Sequence, residues 1–178
     1  MVYLFLADGF EEVEALCPLD ILRRGGVDIK TVGISGKTVT GSHGIAVVAD
    51  ILPHEMQDKA EMLIFPGGMP GSLNLDSSAV VSHWLENRSH DTKLAAICAA
   101  PLVLGRRGLL GGVKAVCYPG FENELKGHIP STERVVTDGQ ITTAVGMGAA
   151  AEFGFALLAQ LKGQEVADQV AKSALFGA

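Results

Sequence analysis

One short stretch, "AAICAAPLVLG" at residues 95–105, places Cys98 where an apolar strand-like run gives way to a proline-led helix. An abrupt strand-to-helix turn of this kind is a nucleophile elbow, which projects its side chain above a sheet. Unpaired N–H groups and the positive dipole end at the start of a following helix would favour a thiolate there. A cysteine flanked by Ala96, Ile97, Ala99 and Ala100 is as readily a small buried residue. Position alone does not choose between the two, although such small neighbours leave room for a ligand.

Three other segments carry groups that a reactive cysteine could use. "FPGGMPG" (65–71) puts Gly67 and Gly68 just past an apolar run, where backbone free of Cβ atoms can turn N–H groups toward an oxyanion. "GFEEVEAL" (9–16) opens a helix with three carboxylates. Glu11 and Glu12 read as solvated, whereas Glu14, with Phe10 and Val13 beside it, reads as inward-pointing. A buried carboxyl has its pKa raised and could hydrogen-bond a thiolate as the protonated acid. His128, in "LKGHIPSTERVV", is a loop histidine that could act as general acid or base, though solvent exposure is the commoner fate of such a residue. Cys17 and Cys117 read as packing residues. His43, His54, His83 and His90 have no partner that spacing can name.

These groups meet only if the right elements carry them. "VYLFLA" (2–7) is a continuous apolar run, expected as a strand buried on both faces, and residues 11–26 follow with helical spacing up to Gly25 and Gly26. Further strands are expected at 27–34, 61–68, 93–98, 113–119, 134–139 and 140–145, the last two joined by a tight Asp138-Gly139 turn. Helices are expected at 77–90, 101–110, 148–163 and 164–176, and a β-rich excursion at 35–50. The alternation gives an α/β fold, a doubly wound and mostly parallel sheet with helices on both faces, as one domain over residues 1–178. The carboxyl ends of its strands would gather Asp8 to Glu14, Pro66 to Gly71 and Cys98 to Pro101.

Composition narrows the partners. With a net charge of −6 and 14 Lys plus Arg, the chain has no basic face for a run of phosphates, so nucleic acid is not expected. The N-terminal run meets Asp8 too early for an export signal, and no apolar run reaches the length of a bilayer span. Three cysteines without a C-x-x-C pair fit free thiols in a reducing cytoplasm rather than a disulfide frame. Neither cysteines nor histidines fall at zinc-ligand spacing, so no metal is expected.

Taken in order, "EEVEA", "FPGGMPG" and "AAICAAP" resemble the ThiJ/PfpI superfamily, and most of all its Parkinson-associated deglycase (DJ-one) branch. "DILRRGG", "RVVTDG" and the helices after "GMGAA" extend the resemblance over nearly the whole chain. The resemblance implies a flavodoxin-like fold, a homodimer and no cofactor. It implies Cys98 as nucleophile and redox-sensitive thiol, Glu14 as its protonated partner, and Gly68 and Ala99 as oxyanion donors in a loop shaped by Gly67. His128 matches the histidine that this branch places near the thiol. Arg24 matches an arginine brought near the dimer-related site, while His43 stands where a second arginine is expected. The superfamily's proteases have a histidine directly after the elbow cysteine; Ala99 occupies that position here.

The expected function is that of a cofactor-independent, glyoxalase III or deglycase type of enzyme acting on α-oxoaldehydes such as methylglyoxal, or on their adducts. The alternative is a redox-sensing stress-response protein with an oxidisable Cys98. A peptidase or amidase is disfavoured by Ala99.

Overall fold

The strand that opens the chain is apolar at every position because both of its faces are covered. In the computed structural model, which describes residues 1–57 and 59–177, β1 (Val2–Leu6) is buried throughout. α1 (Glu12–Arg24) and β2 (Ile29–Gly33) follow, and then an antiparallel hairpin of β3 (Thr38–Thr40) and β4 (Ala46–Val48). β5 (Met62–Phe65) leads to two short helices, α2 (Gly71–Asp76) and α3 (Ala79–Glu86). β6 (Lys93–Ile97), α4 (Pro101–Gly105), β7 (Lys114–Ala115) and β8 (Ile129–Pro130) come next. The chain closes with the hairpin β9 (Val135–Asp138) and β10 (Ile141–Ala144), then α5 (Ala150–Lys162) and α6 (Gln164–Ser173).

Six strands form the main sheet in the order β2-β1-β5-β6-β10-β9, parallel except for the β9–β10 pair. Successive side chains on a strand point to opposite faces. Val2, Leu4 and Leu6 accordingly pack with Leu22, Phe153 and Leu157 under α1 and α5. Tyr3, Phe5 and Ala7 pack on the other face with Leu75, Val81 and Leu102, from α2, α3 and α4. Each fully buried Leu or Phe in these layers stabilises the fold by about 1.5–3 kcal/mol. The strand order reverses between β1 and β5, and in open α/β sheets the crevice beyond the carboxyl ends at such a point is where ligands bind.

The doubly wound α/β expectation holds, with differences that bear on the site. α4 ends at Gly105 instead of running to 110, and Gly105 packs so closely on the Glu124 carbonyl oxygen that a Cβ would stand 2.2 Å from it. A five-residue helix aligns few peptide dipoles, so the dipole invoked for Cys98 is small. The expected strand over 113–119 pairs only at Lys114–Ala115, with β8. Beyond it, Val116 N–H donates to Thr143 Oγ1 and Tyr118 N–H to the Cys98 carbonyl. These residues brace the elbow rather than extend a ladder. α2, directly after the glycine loop, was not expected from the sequence.

Candidate active site

Cys98 stands between the end of β6 and the start of α4 with φ +64°, one of two non-glycine residues with positive φ among those described. A side chain in that region costs about 1–2 kcal/mol and persists only when its surroundings fix the backbone. They do so here: Cys98 N–H donates to the Ala144 carbonyl at 2.9 Å, and its own carbonyl accepts from Tyr118 N–H at 2.8 Å. The strand-to-helix elbow expected at this cysteine is therefore present.

Glu14 comes from the first turn of α1, whose N-cap is Glu11, accepting from Glu14 N–H at 2.6 Å. Only 1% of Glu14 is exposed. Its Oε2 accepts from Gly67 N–H at 3.0 Å, Met147 N–H supplies a second donor, and the carboxyl is hydrogen-bonded to the Cys98 thiol. Gly67 makes this meeting possible. A Cβ there would lie 2.3 Å from Glu14 Oε2 and 2.6 Å from Cys98 Cβ. Gly68 follows with φ +89°, and a Cβ on it would strike the Glu11 backbone nitrogen at 2.4 Å. The β1 and β5 loops are further joined by Glu11 N–H to the Gly67 carbonyl, 2.9 Å. The N–H groups of Gly68 and Ala99 both point at the Cys98 sulfur. Five of the six expected residues, Cys98, Glu14, Gly67, Gly68 and Ala99, thus converge.

Burial pushes Glu14 up to about 7, aided by the nearby Glu11 carboxylate and opposed by the hydrogen bonds from Cys98, Gly67 and Met147. Burial, and then the charge and hydrogen bond of Glu14, push Cys98 up to about 12 against the two N–H donors. Groups joined by one hydrogen bond titrate as a pair. The pair holds two protons below about 7 and one between about 7 and 12, because a second negative charge would lie against the first. Below about 7 Glu14 is the protonated partner expected from the sequence, and between about 7 and 12 the carboxyl and the thiol share one proton.

Glu12 corrects its expected solvation. It is 4% exposed and clamps the β3–β4 turn, accepting from His43 N–H at 2.8 Å and meeting His43 Nδ1 at 2.8 Å. Burial alone would raise its pKa, but the His43 side chain and backbone N–H groups outweigh that and bring it to about 2. Glu11, Glu12 and His43 are the one group among the described residues whose ligand atoms lie within 4.8 Å of one another in the manner of a metal site. Its oxygens already serve the clamp.

Other expected participants have partners of their own. His128 Nδ1 is 2.7 Å from the Leu125 carbonyl, and its ring lines a cavity of about 210 Å³ with Cys117 and Glu122, one that neither Cys98 nor Glu14 lines. Arg24 pairs with Asp20 at 2.6 Å and borders a different cavity of about 500 Å³ with Cys17 and Phe155. Sequence reasoning missed three residues that border the pair. Tyr118 and Glu14 Oε1 lie 3.3 and 3.9 Å from the point a Gly146 Cβ would occupy, and Met147 donates to Glu14. Tyr118 fell in the strand expected over 113–119, and nothing local tied it or the Gly146 segment to β6.

The sequence profile of the DJ-1/PfpI family matches residues 1–160. Protein DJ-1 homolog B of Arabidopsis thaliana is 39% identical over 93% of this chain, which spans 39% of that protein's length. The glutathione-independent glyoxalase DJR-1.2 of Caenorhabditis elegans is 28% identical over 91% of this chain and 88% of its own. The crystal structure of Drosophila melanogaster DJ-1beta superimposes with a TM-score of 0.91 at 31% identity, covering 99% of this chain and 98% of that one.

Proposed function

The chain belongs to the DJ-1/PfpI family, and from that premise we propose that it is a cysteine-dependent, cofactor-independent enzyme converting α-oxoaldehydes to 2-hydroxy acids. The observation that carries this reading is the Glu14–Cys98 hydrogen bond across Gly67, beside two convergent N–H groups. A relative named as a glutathione-independent glyoxalase supports the same chemistry.

The sulfur of Cys98 attacks the aldehyde carbon, and the thiol proton passes through Glu14 to the aldehyde oxygen, giving a hemithioacetal. The Gly68 and Ala99 N–H groups, which point at the sulfur, would donate to the oxyanion that develops beside it. The Glu14 carboxylate then removes the hydrogen on that carbon and returns the proton to the neighbouring carbonyl carbon, while the hemithioacetal hydroxyl proton passes to the neighbouring oxygen, so that one carbonyl becomes a hydroxyl and the other a thioester. The product is a 2-hydroxy thioester, which water hydrolyses to the hydroxy acid and free thiol. No electrons enter or leave overall. A carboxyl with pKa about 7 suits both proton transfers, since each form is populated near neutrality. The same addition directed at glycated protein or nucleotide adducts would be a deglycase reaction.

Lactate formation from methylglyoxal tests this reading. Wild type should exceed Cys98→Ala by at least about 100-fold and Glu14→Gln by a similar factor; a wild-type rate equal to that of Cys98→Ala refutes it.

A second reading, redox sensing, is supported by the same two N–H groups, which would donate to the oxygens of a Cys98 sulfinate. Mild peroxide should then modify Cys98 before Cys17 and Cys117, and equal modification of all three in mass spectra argues against it. We also read the outer face of α1 as the seat of a second copy, since Val13 on that helix and Leu175 and Phe176 at the chain's end are exposed.

A further inference from the structure

We propose that Tyr118 makes this site selective for uncharged α-oxoaldehydes bearing an aromatic or bulky apolar substituent; the proposal rests on, and deepens, the oxoaldehyde reading above. Each backbone segment that touches the Cys98–Glu14 pair also carries a large apolar side chain left in solvent. Tyr118 follows β7, and its N–H holds the Cys98 carbonyl while 51% of the residue is exposed. Met147 follows β10, and its N–H serves Glu14 while 54% of it is exposed. Met69, 44% exposed, follows Gly68, whose N–H faces the sulfur.

Such side chains ordinarily pack inward, and left exposed on the segments that hold a reactive pair they offer an apolar ligand surface against which to shed water. The Tyr118 ring and the Glu14 carboxyl border the space left by the missing side chain of Gly146. A substituent attached to a carbonyl between Cys98 and Glu14 therefore has the phenol ring as its neighbour. Aromatic rings prefer that company, and thioethers such as Met69 and Met147 add favourable contacts at ring edges.

Charge works against anionic substrates. Glu14 itself and the Glu11 carboxylate beside it put negative charge at the site, while Arg24 and His43 are committed to Asp20 and Glu12. An oxo acid such as glyoxylate would meet repulsion, whereas phenylglyoxal would not.

Initial rates with phenylglyoxal, methylglyoxal and glyoxylate in wild type, Tyr118→Ala and Tyr118→Phe decide the matter. The expected kcat/KM ratio of phenylglyoxal to methylglyoxal in wild type is about tenfold, with glyoxylate slowest. Tyr118→Ala should lower that ratio by about 5–10-fold, chiefly through the KM for phenylglyoxal, and Tyr118→Phe should restore it. A ratio unchanged in Tyr118→Ala, in an enzyme that still turns over methylglyoxal, overturns the role of Tyr118. Wild-type rates with all three substrates no greater than those of Cys98→Ala overturn both the oxoaldehyde reading and this one.

Discussion

The carboxyl of Glu14, from the first turn of α1, is hydrogen-bonded to the thiol of Cys98, the residue after β6, across a gap that only glycine at position 67 leaves open. The two residues are 84 positions apart in the chain. Three strand ends must be in register for them to meet, so the sheet order and the chemistry are one problem.

Gly67→Ala tests the gap. The added methyl would lie 2.3 Å from Glu14 Oε2 and 2.6 Å from Cys98 Cβ, so one of them must move. A displacement near 1 Å should lower hydroxy acid formation by about 100-fold, while overpacking should lower stability by about 1–3 kcal/mol. Activity within twofold of wild type would show that the spacing is not needed.

Glu14→Gln should stabilise the fold at alkaline pH. A carboxyl raised from 4.5 to about 7 is favoured in its protonated form in the folded chain. Its effect is absent below 4.5 and grows more destabilising as pH rises toward about 7, to a limit near 3 kcal/mol. Thermal unfolding should show equal melting temperatures near pH 4 and a higher one for Glu14→Gln at pH 8, by up to about 10 °C.

The clamp between Glu12 and His43 carries the opposite pH signature. The Glu12 carboxyl, lowered to about 2, contributes stability above 4.5 that is lost as pH falls toward 2. Its hydrogen bond raises His43, whose contribution is complete below 6.5 and is lost as pH rises through that raised value. Both act fully between 4.5 and 6.5. In that window wild type should melt above His43→Gln, by a modest margin because His43 is largely exposed, and the difference should shrink in alkaline buffer.

What the sequence revealed and what it hid follow from range. Continuous apolar runs located β1, β5 and β6 and helical spacing located α1, and the strand-helix junction at Cys98 with the glycines at 67 and 68 located most of the candidate site. α2 stayed hidden because its six residues lie in a Gly-Pro-rich stretch that reads as a turn. Glu12 looked solvated because its partners, His43 and the Ile45 N–H, arrive from a hairpin some thirty residues downstream. His128 drew attention as a titratable loop residue near a late strand. The chain instead presents Tyr118 beside Gly146, and Tyr118 offered no titratable side chain near neutrality to look for.

The paired proton is tested most directly by the pH dependence of Cys98 alkylation, followed by mass spectrometry with iodoacetamide. The first ionisation of the pair creates the nucleophile, so the wild-type rate should rise through a single inflection near 7, and Glu14→Gln should move that inflection by at least one pH unit. An inflection unchanged in Glu14→Gln would show that Cys98 titrates without Glu14 and would contradict the proposed activation.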